Sequence, residues 1–460
     1  MKIYNTLTKK KEEFKPIKNG KVLMYHCGPT VYWTQQIGNM RAFVLADFIT
    51  RIFKYLDYKV KLVRNYTDVG HLTSDADQGE DEMEKAAKRE NLDPLKIAEK
   101  YIKIFEDDTQ ALNIIDADKK PRATECIKED IKFIKTLLKK DFAYQTNLAI
   151  YFDISKFKKY GELSGQKLED KLEGAGKAEV EDEDKKNPYD FTLWFFKAGK
   201  HENALQTWKS PWGEGFPGWH LECSVMAKKY LGDTIDIHMG GIEHIPVHHT
   251  NEIAQSEVAN GVKFVNYWLH NEHLLVNDRK MSKSQGTAYS VQEIIDKGFN
   301  PLALRYFFLS AHYRSKQNFT WQALEAAQNG LNNLYSNIKN LGDKKGKIDQ
   351  KFKNLFIEKL SDDFNTPQAL SLIQEILKSK LGDKDKLATI LDFDKVFGLK
   401  LDKIKQEKID IPDEVEELIK QRKKARKNKN WSLADQLRDE IEKKGFLIED
   451  TKNKTSIIKL

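Results

Sequence analysis

The sequence predicts an α/β chain: a Rossmann-type parallel sheet with an insertion, followed by an α-helical bundle and a small C-terminal unit. Three observations carry this. An apolar strand, an amphipathic helix and a second strand follow one another between Lys21 and Asn65. Alternation of strand and helix is then interrupted and resumes near Phe191. Beyond Phe319 only helical periodicity remains, to about Leu399.

The first strand, Lys21 to Cys27, ends in the turn signal Gly28-Pro29-Thr30. After Gly38 the apolar positions Phe43, Ala46, Ile49 and Phe53 recur at helical spacing, and Lys59 to Asn65 reads as the next strand. Strand, helix, strand is the building block of a parallel nucleotide-binding sheet. From Asp93-Pro94 the chain turns helical, with aspartate as cap and proline in the first turn. A strand is expected at Leu148 to Asp153, and the Lys-, Glu-, Asp- and Gly-rich run Lys167 to Lys186 reads as an exposed connector. Near Ile411-Pro412 a new unit begins, and its centre, Lys420 to Trp431, holds seven basic residues and no acid. The boundaries that follow are 1–112 and 191–265 for the two halves of the sheet domain, 113–190 for the insertion, 266–318 for a contact region that carries the Lys280-Met281-Ser282-Lys283-Ser284 loop, 319–404 for the bundle and 405–460 for the last unit.

At 460 residues the chain exceeds one hydrophobic core. Lys+Arg 77 against Asp+Glu 70 gives a net charge of +7, which suits a polyanionic partner without requiring one. The opening Met1-Lys2-Ile3-Tyr4-Asn5 lacks the apolar run of a secretory signal, and no apolar stretch is long enough to cross a bilayer. Three cysteines, Cys27, Cys126 and Cys223, cannot build a disulfide framework. The expected compartment is the reducing cytoplasm, where free thiolates can bind metal.

Cys27 closes the first strand, where ligands gather in open parallel sheets. Cys223 follows Trp219-His220-Leu221-Glu222 at the start of a predicted helix. His248 and Glu252 are four apart in His248-His249-Thr250-Asn251-Glu252, so on a helix they share a face. Two thiolates, an imidazole and a carboxylate suit zinc. Spacing alone does not separate this from buried cysteines and packing histidines. Cys126 is read as a buried small residue, and His249 as a supporting group rather than a ligand.

Lys280-Met281-Ser282-Lys283-Ser284 puts two lysines three apart in a polar loop followed by Gly286. Such a loop can wrap a triphosphate and neutralise charge on departing pyrophosphate. Gln36-Ile37-Gly38-Asn39 lies between the first strand and its helix, where a glycine and a helix N-terminus favour phosphate.

Taken in order, these strings resemble the class I aminoacyl-tRNA synthetases, and within them the cysteinyl enzymes. Cys27-Gly28-Pro29-Thr30-Val31-Tyr32, Asn65-Tyr66-Thr67-Asp68, Gly218 to Cys223, Asp236-Ile237-His238, His248 to Gln255, Leu304 to Phe307, His312 to Ser315 and Asp362 to Pro367 all fit. The resemblance implies zinc on Cys27, Cys223, His248 and Glu252, with the substrate's own thiolate bound to it. It implies ATP, with magnesium as its partner, on Gln36, Gly38, Asn39, Lys280, Ser282 and Lys283, of which Gln36, Asn39, Lys280 and Lys283 would act in catalysis. Thr67, Trp219 and Glu243 would line the cysteine site. Arg426, Asp435 and Asp450 fall where the family reads the GCA anticodon, which makes the last unit an anticodon-binding domain and tRNA(Cys) the partner. A monomer is implied as well.

Four residues, at three places, depart from the family pattern. Gln36 replaces the usual histidine, and an amide carries no charge at any pH. Glu243 stands where aspartate is usual, and Gly70-His71 where two acids are common. Two rivals share the motifs: a ligase joining cysteine to an amino sugar, which should lack the anticodon domain, and an RNA-binding paralogue with a decayed active site. A zinc hydrolase is disfavoured because His-Glu-x-x-His is absent.

Overall fold

The computed structural model describes residues 1–460 except 71, 75–77, 167–181, 282–285, 405–411, 451–454 and 460. The chain forms two compact units, Met1–Lys403 and Ile404–Leu460.

The heart of the first unit is a four-stranded parallel sheet in the order Val265–Asn271, Ile235–Gly241, Lys21–His26, Lys59–Arg64. Pairing runs from Lys21↔Lys59 to His26↔Arg64 on one side, and Ile237↔Met24 to Met239↔His26 on the other. All seven residues of Ile235–Gly241 are buried, as expected for a strand covered on both faces. Bridges Val63↔Lys119 and Tyr66↔Arg122 lay a further segment along the outer edge of Lys59–Arg64. Winding therefore reverses between Lys21–His26 and Ile235–Gly241, and the carboxyl ends of those two strands form the crevice of the fold.

The helix Ile37–Tyr55 connects the first two strands, with thirteen of its residues buried. Asp93 caps the helix Pro94–Ala111 by accepting from the Leu95 amide at 2.9 Å. Five antiparallel strands, in the order Trp208–Ser210, Gly213–Pro217, Phe191–Phe196, Ala149–Phe152, Ala143–Gln145, make a second sheet. It joins strands from both sides of residue 190, so the parallel sheet resumes only with the helix Trp219–Leu231. Of the expected exposed connector, 167–181 lie outside the described residues. Its end is packed: Asp182 is buried and accepts from Thr146 Oγ1 at 2.7 Å, because a short turn folds the acid back onto the sheet.

Helices Trp321–Leu341, Gln350–Ser361, Thr366–Lys378 and Asp383–Phe397 form the bundle, three of them capped by Thr320, Asp349 and Asn365. In the second unit, helices Asp413–Lys427 and Trp431–Lys443 pack with the hairpin Phe446–Asp450 and Thr455–Lys459. Val415, Ile441, Phe446 and Ile448 make its core. Among the described residues no helix is long and apolar enough to cross a membrane.

Candidate metal and nucleotide site

Three segments deliver one polar cluster of four side chains to the crevice. Cys27 follows the strand Lys21–His26, Cys223 sits in the helix Trp219–Leu231, and His248 and Glu252 occupy the first turns of His248–Asn260. All four side chains are buried, and their ligand atoms lie within 4.8 Å of one another. The i, i+4 pair does share a face: His248 Nε2 is 3.1 Å from Glu252 Oε1. Cys27 Sγ is 3.7 Å from Cys223 Sγ and 3.7 Å from Glu252 Oε1.

These edges test the fit to zinc. Bonds of about 2.3 Å to sulfur and about 2.1 Å to nitrogen or oxygen, arranged tetrahedrally, set edges of about 3.8 Å for S···S, about 3.6 Å for S···O and about 3.4 Å for N···O. The three measured edges fall close to these values. His248 Nε2 is moreover a buried nitrogen that faces Glu252 Oε1 without a well-aligned hydrogen bond to it. The residues fit the ion.

Electrostatics agree. Burial pushes the Cys27 thiol up, while the hydrogen bond from Cys27 brings Cys223 down to about 6. Burial opposes ionisation of Glu252, yet His238 and His248 hold it at about 2. Burial likewise opposes a charge on His248, but the Cys223 thiolate and Glu252 lift it to about 10. Two negative groups in a dry pocket call for compensating positive charge, which a protonated His248 supplies in part and a divalent ion would supply in full with His248 as a neutral ligand.

Around the four lies a shell in which only His249 had an expected role. His238 Nε2 meets the second oxygen of Glu252 at 2.9 Å. His249 Nδ1 meets His270 Nε2 at 2.7 Å, and His270 Nδ1 meets Thr6 Oγ1 at 2.8 Å. His249, expected in a supporting role, comes nearer than that: its Nε2 is 3.4 Å from Cys27 Sγ, and Cys27, His238, His249 and Glu252 form a second donor group of the same compactness. The 3.9 Å from His249 Nε2 to Glu252 Oε1 fits a tetrahedral edge less well. Asn65 brackets the thiol loop, its Oδ1 accepting from the Gly28 amide at 2.8 Å and Tyr25 OH at 3.0 Å. A Cβ on Gly28 would overlap the Asn65 carbonyl oxygen, so the close approach of the two loops requires glycine. His238 and Asn65 fall in the strings Asp236-Ile237-His238 and Asn65-Tyr66-Thr67-Asp68 that carry the family resemblance, though without a role; nothing in the sequence marks His270. Cys126 is buried apart from the cluster, 3.7 Å from Lys229 Nζ.

The substrate-lining expectations fall around the same crevice. Trp219 stacks on the His248 ring with centroids 4.3 Å apart. Thr67 is buried, donating to Glu222 Oε2 at 3.1 Å. Glu243 stands exposed on the turn Ile242–His244, its Oε2 3.8 Å from His273 Nδ1. Gln36 caps the helix Ile37–Tyr55 without a side-chain capping bond, and Asn39 Nδ2 donates to Gln35 Oε1 at 3.0 Å. Lys280 lies exposed on the strand Arg279–Lys280. Ser282 and Lys283 lie outside the described residues. The two segments expected to bind nucleotide do meet: Met281 covers Gly38 so closely that a Cβ there would strike its methyl.

In the second unit Arg426 is half-buried near the end of Asp413–Lys427, and Asp435 is exposed on Trp431–Lys443. Asp450 ends the strand Phe446–Asp450. Of the seven basic residues, Arg422 is buried and the lysines are exposed, so the run is one solvated helix face with a single inward arginine.

Comparison with known proteins gives these features a family. The description "tRNA synthetases class I (C) catalytic domain" matches residues 13–329, "Cysteinyl-tRNA ligase anticodon binding domain" matches 409–457, and "DALR domain" matches 355–380. A cysteine–tRNA ligase of Treponema denticola is 45% identical over 494 aligned positions, covering 100% of both chains. Cysteine–tRNA ligase 1 of Burkholderia lata is 42% identical over 98% of this chain and 95% of its own. Among solved structures, Mycobacterium tuberculosis methionyl-tRNA synthetase with methionyl-adenylate has a TM-score of 0.56 at 13% identity, covering 82% of this chain and 90% of that one. A putative arginyl-tRNA synthetase from Campylobacter jejuni has a TM-score of 0.53 at 13% identity, covering 85% and 95%. Those two likenesses speak to the fold, whereas the end-to-end identity and the catalytic-domain match establish that the chain belongs to the cysteinyl-tRNA ligase family.

Proposed function

We propose that this chain joins L-cysteine to tRNA(Cys) in two steps, through cysteinyl-adenylate, with zinc held by Cys27, Cys223, His248 and Glu252. The observation that supports it most is the convergence of those four donors, from separate segments, on the crevice of a parallel sheet. When bound, zinc supplies a soft Lewis-acid centre that prefers a thiolate to the harder hydroxyl of serine. A bond of that kind discriminates strongly enough to need no editing site.

The protein groups act around it. Trp219, stacked on His248, walls the thiol pocket, and Thr67 is fixed by Glu222 at the amino-acid end. Gln36, Gly38 and Asn39 offer amide donors and close backbone approach to ATP, which enters with magnesium. Lys280, with Ser282 and Lys283, neutralises the triphosphate. The cysteine carboxylate attacks the α-phosphorus and pyrophosphate leaves. The terminal ribose hydroxyl of tRNA then attacks the acyl carbon and releases AMP. Positioning and fixed charge account for most of the rate. Arg426, Asp435 and Asp450 address splayed anticodon bases. The enzyme works as a monomer.

Cysteine-dependent exchange of labelled pyrophosphate into ATP tests this reading, with serine and a zinc-stripped sample as controls. Exchange with cysteine alone, lost on stripping, is expected. Equal exchange with serine would remove zinc-based selection, and exchange without tRNA charging would favour the amino-sugar ligase.

A further inference from the structure

The two nucleotide segments are far apart in sequence, and something must hold them in register. Arg41 lies two residues beyond Gln36-Ile37-Gly38-Asn39, on the helix Ile37–Tyr55, and is buried with only 3% of its surface exposed. Among the described residues its guanidinium forms no ion pair with a carboxylate, and its recorded partners are all backbone carbonyls. Nη1 donates to the carbonyls of Glu272 at 2.8 Å and His273 at 3.0 Å, and Nη2 to those of Ser315 at 2.8 Å and His312 at 3.4 Å. Residues 272–273 are the link between the sheet strand Val265–Asn271 and the strand Leu274–Val276. That strand pairs Leu275↔Lys280 and Val276↔Arg279 through a two-residue turn, Asn277-Asp278, with both residues at positive φ. Lys280 is thus carried on a short hairpin whose root Arg41 grips. At the far end, Met281 covers Gly38.

We propose that Arg41 is a positioning residue for adenylate formation, which fixes the hairpin bearing Lys280 against the helix bearing Gln36 to Asn39. The proposal rests on the assignment of those two segments to ATP. It extends that assignment to a residue that does not touch the nucleotide.

The surroundings argue that the fork, not apolar packing, sets the distance. A cavity of about 30 Å³, with room for about one water, adjoins Arg41 among Val44, Phe48, Asn271, Phe308 and Tyr313. Packing that leaves such a gap does not define the joint on its own. Four carbonyls from two chain segments match the planar, five-donor geometry of arginine, whereas a lysine ammonium gathers its three donors at one point. The 312–315 turn is held from its other side, since Tyr313 OH and Arg314 Nε donate to Asp363 at 2.7 and 2.8 Å. Arg41 therefore pulls the hairpin root towards a turn that is itself anchored to the bundle.

The test is pyrophosphate exchange by zinc-loaded Arg41→Lys, with Lys280→Ala as the reference for the loop assignment. Arg41→Lys is expected to lower kcat/KM for ATP by on the order of 10- to 100-fold, as loss of register does in other active sites. Binding of labelled cysteine by equilibrium dialysis, and zinc content, should stay within about twofold of the parent. Hydrogen exchange should quicken at amides 274–280 and stay slow in 235–241. If ATP kinetics are unchanged while Lys280→Ala is impaired, the clamp is refuted and the loop assignment stands. If Lys280→Ala is itself unimpaired, the loop assignment fails. Loss of cysteine binding, zinc and ATP turnover together would reduce Arg41 to a folding role and overturn the proposal. Should the lysine variant not fold, Arg41→Gln, which removes the buried charge along with the fork, is expected to give the same split.

Discussion

The floor and the rim of the catalytic crevice are built on different principles. On the floor, Cys27, Cys223, His248 and Glu252 are buried side chains fixed by other buried side chains, with His238, His270 and Asn65 behind them. On the rim, Gln36, Asn39 and Lys280 are half-buried or exposed, and what is fixed is backbone: a helix start, a hairpin, and a glycine under Met281. A site that must tell sulfur from oxygen needs its geometry in advance. A site that handles a flexible, hydrated triphosphate can complete itself as the substrate arrives. Substitutions on the floor should therefore remove metal and function together, and substitutions on the rim should slow turnover with metal and fold intact.

The largest effect is expected from Cys223→Ser. Outer partners of metal ligands usually cost 10- to 100-fold in affinity, so removing a ligand should exceed about 100-fold in exchange activity and leave little zinc. Metal analysis beside the exchange assay decides it, and full activity with unaltered metal would sink the assignment. Lys280→Ala comes next, with a loss of about 100-fold in the ATP-dependent step, comparable to deleting one transition-state donor. Zinc content should not change. A parallel fall in zinc would break the floor-and-rim distinction.

His238→Gln probes the floor one step back. Its imidazole holds the second oxygen of Glu252, so zinc affinity should drop by about 10- to 100-fold, read by competition with a chelator. Arg426→Ala belongs to neither region and should leave pyrophosphate exchange unchanged. It should raise the KM for tRNA about tenfold, within the usual discrimination of a base contact.

How far the sequence reveals each region follows from the same contrast. The first strand, its helix and the second strand were readable because burial writes a period of 3.6 or an apolar run into the residues. The pairing of His248 with Glu252 was readable because helix geometry is local. His270 and Asn65 were not, since their places depend on contacts between segments that local periodicity does not connect, His270 with His249 21 residues away and Asn65 with Gly28 37 residues away. The antiparallel sheet that runs on to Pro217 was hidden for a similar reason: its strands Phe191–Phe196 and Ala149–Phe152 are nearly all buried and read equally well as parallel-sheet strands. The side-chain clamp at Arg41 left no trace either, because backbone carbonyls carry no sequence signature.

The smallest effect is also the sharpest test of the rim. Gln36 sits at the helix start with no capping bond of its own, at a position where the family pattern has histidine. An amide can donate to a phosphate oxygen but cannot gain charge as negative charge builds during pyrophosphate departure. Gln36→His should therefore raise kcat in the exchange assay by a few-fold, on the order of one charge-assisted hydrogen bond, with the KM for cysteine unmoved. The gain should be largest at low pH, where imidazole is protonated, and should fade as pH rises through the ordinary histidine range near about 6.5. A pH-independent gain would mean that ring shape, not charge, matters at the rim. No gain would mean that Gln35 and Asn39, already joined by a 3.0 Å hydrogen bond beside it, have taken over the contact.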